Sequence, residues 1–306
     1  MKNQSKKTTF KILLIVFTFS LMISCSRDTD TFQPLDNMYL NIPDINFENK
    51  LIELGLDSDG TLNHQMLRSD AEKQIRLDLN HSVNSGKIKD LTGIEGFVNL
   101  TFLSATGQEI KDVDLNFNTQ LDTLILNGNY LTEIDISKNS NLILLEIESN
   151  ELNVIKGLSE SSNLKKLNLS FNNIEEISIN NNSLEDLIIS HNLLRSIDTK
   201  DAINLKNVYV ILNELTTVDF MSNKLLETLV ISGNKLQNLN LEENTHLTHL
   251  YSSSNMLTSL DISKNQQLID LKVDRNPDLT CIKIHTGQNI PSVSLSYYQE
   301  LNTNCN

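Results

Sequence analysis

The chain has 306 residues, of which 39% are hydrophobic and 21% are charged, so it can bury a sizeable core and is not a disordered polymer. Its 25 basic and 39 acidic residues give a formal net charge of -14, and loss of the four lysines at the extreme N-terminus would leave -18. Such an acidic surface repels phosphate backbones and anionic lipid headgroups, which argues against nucleic-acid binding and against adsorption to a membrane surface.

Residues 1–24 are predicted to be a signal peptide. A basic start precedes an apolar stretch from Ile12 to Ile23, which is too short to span a hydrocarbon core of about 30 Å as a helix. The stretch ends in Met22-Ile23-Ser24-Cys25, which resembles the lipobox of bacterial lipoproteins, with Met22 in place of the usual Leu. The resemblance implies acylation of Cys25 and a lipidated polar tether over residues 25–37. The alternative is ordinary secretion, with Cys25 as one more residue of the apolar stretch.

Residues 38–99 are predicted to form an N-terminal helical cap and a segment that leads into the repeats. A helix-period run from Phe47 to Leu54 stops at Gly55, and Ser69 to Glu72 has the form of a capping box that starts a short second helix. The stretch from Ile75 to Leu79 alternates as a strand does. A solenoid needs covered ends, and these elements would cover the first one.

Residues 100–284 repeat one pattern about nine times. Each row reads L-x-x-L-x-L-x-x-N-x-L, with a spacing of 20 to 22 residues. The rows begin at Leu100, Leu121, Leu142, Leu164, Leu184, Leu205, Leu226, Leu247 and Leu268. This is the leucine-rich repeat pattern, and it predicts a right-handed coil with a short parallel β-sheet on its concave face. Rows this short leave little room for helices, so the convex side should be extended or 3₁₀.

The ninth position of the row is predicted to be structural. An asparagine amide inside the coil can pair with both the N–H and the C=O groups of a buried turn, and each such group left unpaired would cost about 1–3 kcal/mol. The first row has Gln108 at this position, and the others have Asn129, Asn150, Asn172, Asn192, Asn213, Asn234, Asn255 and Asn276.

The cysteines near the C-terminus predict a disulfide. Cys281 and Cys305 form an even pair in a chain expected to leave the cytosol, and a bridge would clip residues 285–306 over the last coil as a C-terminal cap. Two free thiols are the alternative. A metal site that also uses His285 is disfavoured, because no other soft ligand lies near.

Taken together, the motifs resemble one known group of proteins. The runs IPDINFENKLIELG, DLTGIEGFVNLTFL and NPDLTCIKI, with the repeats and the lipobox, are similar to the internalin-like leucine-rich repeat lipoproteins of Bacteroidetes over residues 38–306. Two departures concern the caps and core: Ser252 stands at an inward position that is usually apolar or Cys, and no Trp follows Gln288. The resemblance implies a secreted or surface binding protein, in some members an adhesin.

Sites for chemistry are scarce in the sequence. The run Gly55 to Gly60 looks like a calcium loop, but Gly55 takes its first ligand position, so a polar turn around Asp57 and Asp59 is favoured. His246 and His249 have no third ligand that would complete a metal site. No nucleophile motif, phosphate loop or specific carboxylate pair is present, so we expect no enzyme, no cofactor and no metal.

The concave face offers a candidate binding site. The third, fifth and eighth positions of each row point to solvent there, and in the middle rows several of them are apolar or aromatic. The residues are Phe171, Ile188, His191, Tyr209, Leu212, Val230, His249 and Tyr251. One contiguous patch would suit a protein ligand, whereas cross-strand packing that only stabilises the sheet is the alternative.

Three functions follow from this reading. We expect a monomeric, lipid-anchored recognition module or adhesin of the outer membrane, displayed at the cell surface, that binds a protein or glycoprotein. A periplasm-facing structural lipoprotein is the second possibility. A glycan-binding accessory lipoprotein is the third, and it is disfavoured because the chain has no Trp to offer a sugar.

Overall fold

The computed structural model of the protein describes residues 38–83 and 85–305, all within one compact unit. The predicted signal peptide, the tether and the lipidation residue Cys25 lie outside the described residues. Within the described ranges, no helix combines the length and the apolar character needed to cross a membrane.

The elements are short and follow one another with the period of the repeats. In chain order they are β1 (Tyr39–Asn41), α1 (Ile45–Glu53), β2 (Gln65–Leu67), α2 (Arg68–Ala71), β3 (Arg76–Asp78), β4 (Phe102–Ser104), β5 (Thr123–Ile125), β6 (Glu133–Asp135), β7 (Leu144–Glu146), β8 (Val154–Lys156), β9 (Lys166–Asn168), β10 (Glu176–Ser178), β11 (Asp186–Ile188), β12 (Ser196–Asp198), β13 (Asn207–Tyr209), β14 (Thr228–Val230), β15 (His249–Tyr251), β16 (Leu260–Asp261), β17 (Asp270–Lys272), β18 (Cys281–Lys283), β19 (Ser292–Ser294) and β20 (Glu300–Asn302).

The N-terminal cap contains the first predicted helix and a pair of antiparallel strands. Asp44 caps α1 by accepting hydrogen bonds from the backbone N–H groups of Asn46 and Phe47, and Gly55 follows the helix with a φ of 69°. The prediction of the first helix is confirmed. The capping box predicted at Ser69 is wrong, because α2 already begins at Arg68 and no side chain caps its N-terminus. Strands β1 and β2, which pair antiparallel, were not predicted.

One parallel sheet of eleven strands runs the length of the repeats. Its order is β19-β17-β15-β14-β13-β11-β9-β7-β5-β4-β3, so each row adds one strand beside the previous row. The nine predicted rows are therefore flanked by one further coil at each end. The fourth position of every predicted row, such as Leu124, Leu187 or Leu250, is fully buried, which confirms the leucine-rich repeat solenoid.

The predicted asparagine ladder is formed and serves both kinds of backbone group. The Asn150 side chain accepts a hydrogen bond from the N–H of Leu131 at 3.0 Å and donates one to the C=O of Leu126 at 2.9 Å. A second ladder, not predicted as such, crosses the opposite side of the coil. In it, Asn139 donates to the C=O groups of Leu115 and Asn118. Its other asparagines are Asn118, Asn181, Asn223, Asn244 and Asn265.

The side opposite the large sheet is extended, with short parallel sheets β6-β8, β10-β12 and β16-β18-β20. A 3₁₀ turn is found at Ile94–Gly96, before the first predicted row. The extended alternative for the convex side is therefore the better description of the rows.

The disulfide between Cys281 and Cys305 is present, as predicted. It ties the chain end to β18, and the tail forms β20, which pairs parallel with β18. The tail thus lengthens a sheet on the outer side of the coil, and the fourth position of the final coil, Val293, is still 38% exposed.

The core contains one polar exception. Ser252 lies at the sixth position of its row and is fully buried, and its hydroxyl has no hydrogen-bond partner. The same position in the two adjacent rows holds Ile231 and Val273, so Ser252 interrupts an apolar column.

Candidate functional site

The solvent-facing residues of the eleven-stranded sheet, here called the strand face, bring the predicted patch together. Ile188, Tyr209, Val230 and Tyr251 stand side by side in register on β11, β13, β14 and β15. Adjacent strands lie about 4.8 Å apart, so the four side chains form one column. Val230 is only 5% exposed, because larger neighbours flank it on both sides, and it offers little surface to a ligand.

The eighth position of the rows forms a second column at the edge of the strand face. Phe171, His191 and Leu212 occupy it in three consecutive rows, and we call these three residues the ridge. Their φ angles are 56°, 55° and 53°, in the left-handed region. All three side chains are exposed.

The ridge side chains contact one another and their neighbours. The rings of Phe171 and His191 stack with centroids 4.2 Å apart and planes 10° from parallel. Leu212 extends over Gly233 of the next row, where an added Cβ would lie 2.7 Å from Leu212 Cδ2. Because Gly233 has no side chain, the Leu212 side chain can occupy the space above it. The ridge is a continuous apolar and aromatic strip with Phe171 48% exposed and Leu212 51% exposed.

The ridge is costly for the fold. A left-handed conformation costs an L-residue about 1–2 kcal/mol, and glycine avoids that cost. Of the six other predicted rows, five have glycine or serine at the eighth position (Gly107, Gly128, Gly233, Ser149 and Ser254), and the last has Arg275, with a φ of 58°. Folding alone therefore favours small residues there. About half of Phe171 and half of Leu212 remain exposed to solvent, so burial offsets only part of this cost.

A polar cluster ends the patch on the C-terminal side. The Tyr251 hydroxyl donates to Asp270 Oδ2 at 2.5 Å, and Lys272 Nζ lies 4.0 Å from the centre of the Tyr251 ring. This hydrogen bond raises the pKa of Tyr251 and lowers the pKa of Asp270. His249 meets the Tyr251 ring edge-on at 6.4 Å and contacts Thr248 Oγ1 at 2.9 Å. Tyr251 and His249 are thus held by intramolecular partners, which the sequence did not reveal.

Charged and polar pairs bound the patch on the N-terminal side. Lys166 Nζ lies 2.8 Å from Glu146 Oε1, and Asn168 donates to Glu148 Oε2 at 2.9 Å. Between these pairs and the Tyr251 cluster, the fifth and eighth positions of the rows are mainly apolar or aromatic, whereas the third position is polar and Asn207 donates to Asp186 Oδ1 at 2.7 Å. An apolar centre with a polar rim is the usual composition of a protein interface.

The two other candidates from the sequence are the turn at Asp57 and Asp59, which lies in the N-terminal cap, and the pair His246 and His249, of which His249 belongs to the strand face. Asp57 is 4% exposed, and burial together with the nearby Asp59 carboxylate raises its pKa. Asp59 accepts hydrogen bonds from Thr61, as expected of a polar turn. His246 contacts the C=O of Lys224 at 3.0 Å. In the described ranges, no group of three or more His, Cys, Asp or Glu side chains could hold a metal ion.

Comparison with solved structures identifies the architecture. The functional domain of InlJ from Listeria monocytogenes, described as including a cysteine ladder, is 27% identical with a TM-score of 0.68, over 80% of this chain and 56% of that chain. Internalin C2 from the same species is 18% identical with a TM-score of 0.55, over 83% and 94%. YopM from Yersinia pestis, a leucine-rich effector protein, is 21% identical with a TM-score of 0.51, over 74% and 56%.

The chain spans just over half the length of the InlJ and YopM chains. No protein-family model matches the sequence, and neither does any curated protein. The ladders of this chain are made of asparagine and Gln108, and two of its three cysteines form the terminal disulfide. The chain is a leucine-rich repeat protein whose solenoid is structurally similar to those of internalins and YopM.

Proposed function

We propose that the protein is a non-catalytic recognition module that binds a protein ligand through the ridge and the adjoining strand face. The observation that carries the proposal is the left-handed conformation of three successive bulky residues, Phe171, His191 and Leu212, with their side chains in solvent. This arrangement lowers stability without filling the core, and contact with a partner would account for it.

The composition of the surface supports a protein ligand. Binding hot spots are rich in aromatic side chains surrounded by polar groups that exclude water. Ile188 and Tyr209 are half-buried beside the ridge and carry no charge, whereas the ion pair of Lys166 and Glu146 marks the polar rim. The solenoid fold shared with the functional domain of InlJ supports the same proposal, because it presents one long sheet to solvent.

We further propose that the protein is held at the outer face of the outer membrane by a lipid on Cys25. The motif at Met22 to Cys25 and the polar segment that follows it support this proposal. A periplasm-facing lipoprotein and a glycan-binding accessory lipoprotein are the competing functions. Adhesion is the expected consequence of a surface location, because a ridge exposed on the cell would meet ligands of other cells.

Binding can be tested by immobilising the full chain and measuring which proteins it captures from the surfaces of candidate partner cells. Replacing Phe171 and Leu212 together with serine should abolish capture while leaving the circular dichroism spectrum unchanged. Serine already occupies the eighth position in other rows, so the fold tolerates it. The matched control replaces the equally exposed Phe117 and Ile143, away from the ridge, with serine. Loss of capture by the control and retention by the ridge variant would refute the site.

Location can be tested by treating intact cells with a protease. Degradation of the chain, while a periplasmic protein survives, is expected for display at the cell surface. Protection would instead favour the periplasm-facing function. Glycosidase treatment of the captured partner tests the third function, because a glycan-binding protein would lose its ligand.

A further inference from the structure

The two ends of the solenoid differ in how well they are covered. At the N-terminal end, the cap buries Leu77 of β3 completely. At the C-terminal end, the corresponding residue of β19 is Val293, which is 38% exposed, and Leu295 is only half-buried. Inward positions in the last coil thus remain in contact with solvent, although a repeat array needs a covered end.

The backbone at this end is also unpaired. β19 is the last strand of the large sheet, and the hydrogen bonds to β17 use the N–H of Ser292 and the C=O of Ser294. Because alternate residues of a parallel strand face the same neighbour, the N–H and C=O of Val293 point away from the sheet. In the same way, the hydrogen bonds of β20 to β18 use Glu300 and Asn302, so the backbone of Leu301 points outward.

The sequence of this end is unusual for such an acidic chain. Residues 286–299 contain no charged side chain, although 21% of the whole chain is charged. Exposed sheet edges are normally protected by charges or proline, and the only proline here is Pro291, just before β19. Tyr297 is 99% exposed and contacts Tyr298 edge-on, with ring centroids 5.2 Å apart.

We propose that the C-terminal end of the solenoid is a self-association surface, on which β19 of a second copy pairs antiparallel with β19. A two-fold axis through Val293 would let the two Val293 residues exchange both backbone hydrogen bonds. The expectation of a monomer would then be wrong.

A second copy fits this end better than a charged partner does. Two chains of net charge -14 repel each other over most of their surfaces, so association requires a contact that is free of acidic groups. The uncharged segment 286–299 supplies such a contact. Pairing would also cover the two inward residues, Val293 and Leu295, that the described part of the chain leaves exposed or half-buried.

The first test is the mass of the full-length chain by light scattering between about 1 and 100 µM, in detergent that keeps any lipid soluble. A concentration-dependent dimer is expected. Val293→Lys should weaken dimerisation at least tenfold, since it places two like charges at the axis. The control Val154→Lys, on the exposed side of β8, should leave the dimer unchanged. A monomer at every concentration would overturn the proposal.

A second variant keeps the proposal testable if lysine disturbs the fold. Antiparallel residues that exchange hydrogen bonds have Cα atoms about 5.5 Å apart, within the range that a disulfide spans. Val293→Cys should therefore give a covalent dimer on a non-reducing gel, with the 293–293 link identified by mass spectrometry. Val154→Cys should not. A dimer that forms without this link would place the contact elsewhere and refute the pairing.

Discussion

Exchanging Leu212 for alanine and for glycine tests whether the ridge is strained. At an exposed position with ordinary backbone angles, glycine is less stable than alanine by about 0.5–1 kcal/mol, because it loses more backbone entropy on folding. At Leu212, with a φ of 53°, the order should reverse. Both substitutions remove the same half-buried side chain, so the loss of packing cancels in the comparison.

The magnitude follows from the conformation. Glycine relieves the left-handed cost of about 1–2 kcal/mol that alanine retains, and it loses about 0.5–1 kcal/mol in entropy. The free energy of unfolding of the glycine variant should therefore exceed that of the alanine variant by about 0.5–1 kcal/mol. Ile143 is similarly exposed and has no positive φ, so it provides the matched control pair. The difference between the two sites should equal the left-handed cost itself.

The assay is the free energy of unfolding from urea titrations of all four variants, followed by far-ultraviolet circular dichroism. If alanine is more stable than glycine at Leu212 by the same amount as at Ile143, the ridge carries no strain. The physical argument for its role in binding would then fail, even if the residues are exposed.

Three further predictions concern the scaffold, each checked by urea unfolding. Asn150→Ala should cost about 2–5 kcal/mol because it leaves two buried backbone groups unpaired, whereas the exposed Asn141→Ala should cost less than about 0.5 kcal/mol. Ser252→Ala should stabilise the chain by about 1 kcal/mol, because it removes a buried hydroxyl without a partner. Asp57→Asn should be more stable than the parent at pH 7, and this advantage should vanish below pH 3.8. The pKa of Asp57 is raised because the folded state disfavours the charged carboxylate. Below the ordinary pKa of 3.8 the carboxyl group is protonated in both the folded and the unfolded state, so the parent keeps its full stability there. That stability is lost as pH rises through the folded-state pKa.

The repeat pattern predicted most of the fold because each inward residue meets its equivalent in the next row. A leucine at the fourth position is therefore sufficient to place Leu124 or Leu250 in the core, and the amide at Asn150 has the same partners as every other rung. The helix from Ile45 to Glu53 was predicted for a local reason, since its apolar spacing and its end lie within one short segment.

Features that depend on contacts between different rows were harder to predict. The capture of Tyr251 by Asp270 requires the register of β15 against β17, which a single row does not reveal. The strain of the ridge was also missed, although glycine at the same position in other rows, such as Gly128 and Gly233, was a usable signal. Exposure of Val293 depends on where the tail packs, and the disulfide alone does not determine that.

The most direct test of the recognition site is photo-crosslinking on intact cells with a benzophenone amino acid placed at Tyr209. We expect a crosslinked protein partner from the half-buried Tyr209, beside the ridge, and none from the same probe at the more exposed Phe117. The crosslink should disappear when Phe171 and Leu212 are serine. A crosslink that persists in that variant, or that forms equally at Phe117, would contradict the proposal that the ridge binds the partner.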